Sequence, residues 1–205
     1  MELKQALKEL REEKERKFKQ SVDLIINLKG LDLRKNNVNA VITIPHKIKE
    51  KKVCGFLTEK NELVQTVTKP DFKKYKDKTA LKNLVKNFDF FIAHGSLMPS
   101  VASTFGQALG PSGKMPSPQL GIVMTESSED IKNVLEKISK SVKIRAKEAS
   151  IKVSVGKETM SDDEISENVG AIYKGIVNAL PTKKENVKNV LVKFTMSKSK
   201  EIEIK

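Results

Sequence analysis

Apolar positions recur at two periods along the chain, and the changes of period outline its elements. Leu3, Leu7 and Leu10 fall at helical spacing among interleaved Glu, Lys and Arg, which predicts an amphipathic surface helix at the start. Branched residues over 22–28 and again over 39–44, just before Pro45, predict two strands that form an N-terminal hairpin around the long basic loop GLDLRKNNVN. From about residue 59 the units alternate. Thr66 to Lys69 reads as a strand, a lysine-rich turn follows, Leu81, Leu84 and Val85 mark a helix over 80–87, and Phe88 to Ala93 reads as a strand. Pro99 suits a first helical turn, and the helix it opens should end by Gly110, because GPSGKMPSPQLG carries three prolines and three glycines. Ser127 with Asp130 three positions later is a capping signal, followed by Ile131, Val134, Leu135 and Ile138 on one helical face. Short strands are expected at 142–145 and 150–155.

The last part opens on Ser161-Asp162-Asp163-Glu164, a capping box, after which Ile165, Val169, Ile172, Ile176 and Leu180 form one stripe that stops at Pro181. Val190, Val192, Phe194 and Met196 then alternate with other residues, and the final EIEIK alternates again, so a terminal hairpin is expected. Neither hairpin buries enough apolar surface to fold alone. A single sheet with two helices would join them, which turns the strand–helix middle into an insertion. The boundaries expected are 1–58 plus 152–205 for a discontinuous first domain and 59–151 for the inserted one. No internal repeat or low-complexity tract appears.

Composition narrows the function. Across 205 residues, 39 Lys and Arg stand against 26 Asp and Glu, a formal charge of +13, and both parts of the chain are basic. Solvated ion-pair faces need both signs, so the imbalance points to a polyanionic partner, with nucleic acid the simplest. Aromatics at 5% argue against a groove of many stacked rings. One cysteine and two distant histidines exclude disulfide frameworks, multi-thiol zinc sites and a histidine cage, so metal catalysis would have to rest on carboxylates, and no cofactor is expected. The charged first twenty residues hold no signal-peptide core, and no apolar run approaches the roughly 20 residues of a membrane span, so a cytoplasmic protein without membrane contact is expected.

Four places invite a chemical reading. LGPSGK resembles a phosphate-binding loop, but G-x-x-x-x-G-K-[ST] would need glycine where Ala108 stands and a hydroxyl where Met115 stands. Asp162, Asp163 and Glu164 could hold a metal or could serve the first turn of a helix, where negative charge is favoured. His94 follows an apolar strand, where α/β enzymes place catalytic groups, but no carboxylate partner can be assigned to it. Cys54 lies in a strand-like stretch and reads as a buried thiol. An enzyme using GPSGK and His94 on a phosphate-bearing substrate remains an alternative, as does a free tRNA- or mRNA-binding translation factor.

The segment SLMPSVASTFGQALGPSGKMPSPQLGIV resembles the signature of the L-one family of large-subunit ribosomal proteins, those of the mobile side stalk. Gly110, Pro111, Gly113, Lys114, Met115, Pro116 and Pro118 carry that loop. The likeness extends to KFKQSVDLIINLKG, VITIPH, VGKETMSDDEISENVGAI and VLVKFTMSKSKEIEI, and its wording is closer to the archaeal or eukaryotic branch. The resemblance implies an α/β protein of two domains: a discontinuous α+β domain I of split β-α-β type and an inserted three-layer α/β domain II. It implies binding of large-subunit rRNA through domain I, a part in release of exit-site tRNA, repression of its own mRNA, a monomer off the ribosome, and no catalysis. Carried over by position, the RNA contacts are Lys17, Phe18, Ser21, Asp23, Gly156, Lys157, Thr195, Met196 and Ser197. Hydroxyls and backbone groups suit the shallow, 2′-hydroxyl-lined minor groove of duplex RNA, while Phe18 and Met196 would pack on sugar or base or, equally, in the core. Ser197 departs from the family's Thr-Met-Gly, which bears on close backbone approach there. The GPSGKMPSP loop either fixes backbone shape or offers Lys114 to RNA.

Overall fold

A computed structural model describes residues 1–13, 16–31, 38–118, 120–146 and 148–204, apart from the side chains of residues 76 and 78. Residues 32–37, most of the basic loop expected between the first two strands, lie outside the described residues. Along the chain run α1 (Leu3–Glu12), β1 (Ser21–Leu28), β2 (Asn39–Thr43), β3 (Val53–Phe56), β4 (Gln65–Val67), α2 (Lys78–Asn87), β5 (Phe90–His94) and α3 (Met98–Ser112). They are followed by β6 (Ile122–Val123), α4 (Ser128–Ser139), β7 (Ser141–Arg145), β8 (Ser150–Lys157), α5 (Asp162–Ala179), β9 (Val187–Phe194) and β10 (Lys200–Ile202).

The chain divides into two compact units, Met1–Ile48 with Lys140–Lys205, and Lys49–Ser139. The crossings therefore fall upstream of the expected 58 and 152. The reason lies in strand pairing: β3 is a parallel strand of the second unit's sheet, and β7 pairs with β2 of the first.

In the first unit a four-stranded antiparallel sheet runs in the order β10-β9-β1-β8. The N-terminal hairpin expected from the sequence does not form, because β1 is held between β8 and β9 while β2 pairs with β7 in a separate two-stranded sheet. Residues at period 2 explain the sheet's two faces. Val22, Leu24, Ile26 and Leu28 of β1 and Val190, Val192 and Phe194 of β9 are buried in a core shared with Leu7 and Leu10 of α1 and Ile165, Val169, Ile172 and Ile176 of α5. Ser21, Asp23, Ile25 and Asn27 alternate with them and are only half-buried. The capping box forms as expected, with Ser161 Oγ accepting from the Glu164 N–H and the Glu164 carboxylate accepting from the Ser161 N–H. Gly175 brings α5 close to β2, since a Cβ built there would meet Ile42 Cδ1 at 2.6 Å. β9 ends at Phe194, so Thr195, Met196 and Ser197 form a turn and do not continue the strand.

In the second unit four parallel strands run in the order β4-β3-β5-β6. One core cluster joins Cys54, Phe56 and Phe91 to Phe88, Leu84, Val101, Phe105 and Leu109, and the other joins Leu57 and Ile92 to Ile131 and Ile138 of α4. Helices thus cover both faces, in three layers. Phe56, Phe72, Phe88, Phe91 and Phe105 pack ring against ring, which accounts for five of the chain's eight phenylalanines. α3 runs two residues beyond Gly110, through Pro111 to Ser112, although Pro111 has no N–H to donate to the carbonyl four residues back. It stops at Gly113, whose φ of +69° is a left-handed helix end that glycine adopts without strain.

Candidate nucleic-acid interface

The sheet of the first unit brings most of the sequence-selected residues to one end. Ser21 starts β1 opposite Lys157, and Val22 pairs with Gly156 on one side and Phe194 on the other. Asp23 pairs with Ser154, so Val155 is an extra residue in β8, a bulge that bends the strand where Gly156 and Lys157 emerge. The turn after β9 is tied to β1. Thr195 Oγ1 accepts from the Ser21 N–H at 3.0 Å, and the Thr195 N–H donates to the Ser21 carbonyl at 3.1 Å. Ser21, Asp23, Lys157, Thr195, Met196 and Ser197 therefore surround one sheet edge.

Lys17 and Phe18 lie in the chain leading into β1. Phe18 is 52% exposed and Met196 is 59% exposed, so neither is a core residue. Both are therefore available to a partner. Gly156 is different. It is buried, and a Cβ there would meet Ile165 Cγ1 at 3.0 Å, so glycine serves packing against α5 and only its backbone faces the edge. Ser197 has no positive φ, and its Oγ accepts from the Phe194 N–H at 2.8 Å. The turn therefore closes on a serine hydroxyl without needing glycine's backbone freedom.

Burial pushes the Asp23 carboxyl above the ordinary carboxylate range, and the ammonium of Lys193, its partner across β9, pulls the other way.

Three residues that the sequence did not single out hold this edge in shape. Gln20 is 6% exposed; its Oε1 accepts from the Met196 N–H at 3.1 Å, and its N–H donates to the Glu158 carboxylate at 3.0 Å. Asn168 is fully buried, accepting from the His46 N–H and donating to the carbonyls of His46 and of Val155 at the bulge. A polar side chain on α5's apolar stripe was the available signal for Asn168; Gln20, flanked by polar residues, gave none. Arg11 of α1 donates to the carbonyls of Glu158 and Met160 and pairs with Asp162 at 2.8 Å, clasping the loop that leads out of β8.

The other chemical candidates resolve into structure. Asp162 and Asp163 pair with Arg11 and Lys4, and Glu164 completes the capping box. His94 caps the turn that follows β5, its ring bonded to Ser96 Oγ at 2.7 Å and to the Met124 carbonyl at 3.0 Å. Lys114 spends its ammonium on the carbonyls of Val85 and Phe88 at the C-terminal end of α2, each at 2.7 Å, where a cation is favoured by the helix dipole. Met115 packs on the second unit's core, Pro116 is buried, and Gly110, Pro111 and Pro118 are exposed. The signature loop thus belongs to the second unit, apart in the chain's organisation from the edge just described.

No helix of the described residues is long and apolar enough to cross a membrane, and no group of three or more His, Cys, Asp or Glu among them is arranged to hold a metal ion.

Fold and surface define a basic α/β protein of two units with a polar, hydroxyl-bearing sheet end as its exposed chemistry. Known proteins agree: the model of the ribosomal protein L1p/L10e family matches residues 10–198. Large ribosomal subunit protein uL1 of Pyrobaculum islandicum is 35% identical over 198 residues, covering 91% of this chain and 86% of that protein. Its counterpart in Methanocorpusculum labreanum is 35% identical over 193 residues, covering 89% and 88%, and that of Methanobrevibacter smithii 32% over 208 residues, covering 95% of each. The chain belongs to the ribosomal protein L1p/L10e family.

Proposed function

We propose that the protein is a structural constituent of the large ribosomal subunit that binds rRNA of the mobile side stalk through its first unit. The observation that carries the reading is the gathering of Ser21, Asp23, Lys157, Thr195, Met196 and Ser197 at one sheet end, with Phe18 and Met196 exposed beside them. Backbone groups and hydroxyls there match the sugar edge of a shallow RNA groove, and the two apolar side chains offer surface for ribose or base. The chain's charge of +13 supplies attraction that is independent of sequence.

Release of exit-site tRNA and repression of its own mRNA extend the same reading. Repression follows if the mRNA folds into the same junction as the rRNA, since one surface then serves both. No catalytic role is assigned to any residue.

The test is binding of the full chain to a stalk rRNA fragment by filter retention. Phe18→Ala should weaken binding by roughly the 1–3 kcal/mol that stacking of a base on an aromatic ring contributes, and Met196→Ala should weaken it by less, since a thioether packs on ribose or base without stacking. Wild-type affinity in both variants would remove the site assignment. Co-sedimentation with large subunits at high salt supports residence on the ribosome; loss of the protein into the supernatant favours a free translation factor.

A further inference from the structure

The first unit carries a second basic feature, away from the Thr195–Ser197 turn. β8 is an edge strand of the four-stranded sheet, and β7 belongs to the two-stranded one; a cavity of about 370 Å³ lies between them. Lys143 and Arg145, two apart on β7 and so on the same side of that strand, line it together with Lys152 of β8. Ile144 and Ile151 contribute apolar surface, and Glu148 is the one acidic residue among those lining it.

Three cations against one carboxylate is an arrangement with an electrostatic cost. Desolvation, and then the neighbouring Arg145 guanidinium, hold the Lys143 ammonium below the ordinary lysine range. An anion seated between them would offset both effects, since its charge favours the ammonium and screens it from the guanidinium. Position adds to charge. Lys152 pairs with Ile25 on the same β1 strand that starts at Ser21. Lys152 and Lys157 are five residues apart on β8, about 16 Å of strand, within the span of one folded RNA.

We propose that this groove is a second RNA contact, in which backbone phosphates of the RNA bound at the Thr195–Met196 edge seat among Lys143, Arg145 and Lys152. The inference rests on the rRNA-binding reading above and adds a phosphate-specific element to it. The division of labour is physical: the sheet edge reads shape through hydroxyls and apolar contacts, and the groove supplies charge neutralisation that positions the RNA.

The experiment uses the full chain carrying Lys143→Gln and Lys152→Gln, both exposed positions, and a stalk rRNA fragment titrated from about 0.05 to 0.5 M salt. Each lost phosphate contact should reduce the slope of log K against log salt by about 0.7 to 0.9, and should weaken binding at about 0.1 M salt roughly fivefold to eightfold. Met196→Ala, in contrast, should weaken binding at every salt concentration and keep the slope. Lys152→Gln alone should show about half the slope change of the double variant, which guards against a folding defect in the latter. Wild-type slope and affinity in the double variant, with Met196→Ala impaired, would overturn the groove while leaving the edge reading intact. A wild-type chain that does not bind the RNA at any salt would overturn both.

Discussion

Substituting alanine at two glycines of α5 should give different results, and the difference measures how tightly the helix sits on β2. At Gly170 a Cβ meets nothing within 4 Å; at Gly175 it would lie 2.6, 2.7 and 2.9 Å from Cδ1, Cγ1 and Cγ2 of Ile42. Alanine gains about 1 kcal/mol of helix propensity over glycine in a helix interior. That gain is common to both positions and cancels in their comparison. What remains at Gly175 is overpacking, about 1–3 kcal/mol, because Ile42 is buried and its branched side chain cannot swing aside at χ1. Gly170→Ala should therefore stabilise the first unit by about 0.5–1 kcal/mol. Gly175→Ala should be less stable than Gly170→Ala by about 1–3 kcal/mol. Urea unfolding followed by fluorescence in a Tyr75→Phe background leaves Tyr173 on α5 as the sole tyrosine in a chain without tryptophan. Adding Ile42→Val removes the atom nearest the new methyl and should recover part of the loss in the Gly175 variant. Equal stabilities for the two alanine variants, or no recovery on adding Ile42→Val, would refute the close approach of α5 to β2.

Other outcomes follow from individual side chains. Asn168→Ala strips the His46 N–H and the carbonyls of His46 and Val155 of their buried partner and should cost about 2–4 kcal/mol in the same unfolding assay; a loss under about 0.5 kcal/mol would mean those groups find other partners. Asp23 has a folded-state pKa above its unfolded value, so its ionisation opposes folding, and the penalty grows as pH rises through the ordinary carboxylate range toward the folded value. Asp23→Asn should accordingly make the free protein slightly more stable at neutral pH, with no such gain below about pH 3; a variant less stable at neutral pH would contradict the direction of the shift. Burial pushes the Cys54 thiol up to about 12, so a disulfide-exchange reagent at about pH 8 should label it only as the second unit unfolds in urea, and prompt labelling of the native protein would show that unit to be open. Gln20→Ala should weaken RNA binding without touching RNA itself, by freeing the Met196 N–H, and unchanged affinity would mean that Thr195 and Ser197 hold that turn without it.

Helices were the most legible part of the sequence, because their signals are local. The Ser161 box and the 165–180 stripe gave α5, and Ser127 with Asp130 gave the start of α4, whose Ser127 Oγ accepts from the Asp130 N–H. Strand partners were less legible. β1 and β2 look like a hairpin in sequence, yet their partners lie about a hundred residues or more away, on β8 and β7, and alternation alone says nothing about distance. The same blindness moved the unit boundaries, since Val53–Phe56 reads as a strand on either side of the crossing. At the candidate interface, exposure of Phe18 and Met196 could not be read from residue type, because both are ordinary core residues by composition. The bulge at Val155, the inward demand on Gly156 and the bracing by Gln20 depend on register, which only the assembled sheet defines.

The central claim is that the sheet end formed by β1, β8 and the turn after β9 meets folded ribosomal RNA. Photocrosslinking the full chain to large-subunit rRNA, followed by mapping of the adducts onto both the peptide and the RNA, tests it most directly. Adducts concentrated at residues 17–23, 156–157 and 195–197, on one compact region of the RNA, are the predicted result. Adducts confined to residues 49–139, or scattered along the RNA without a preferred region, would contradict it.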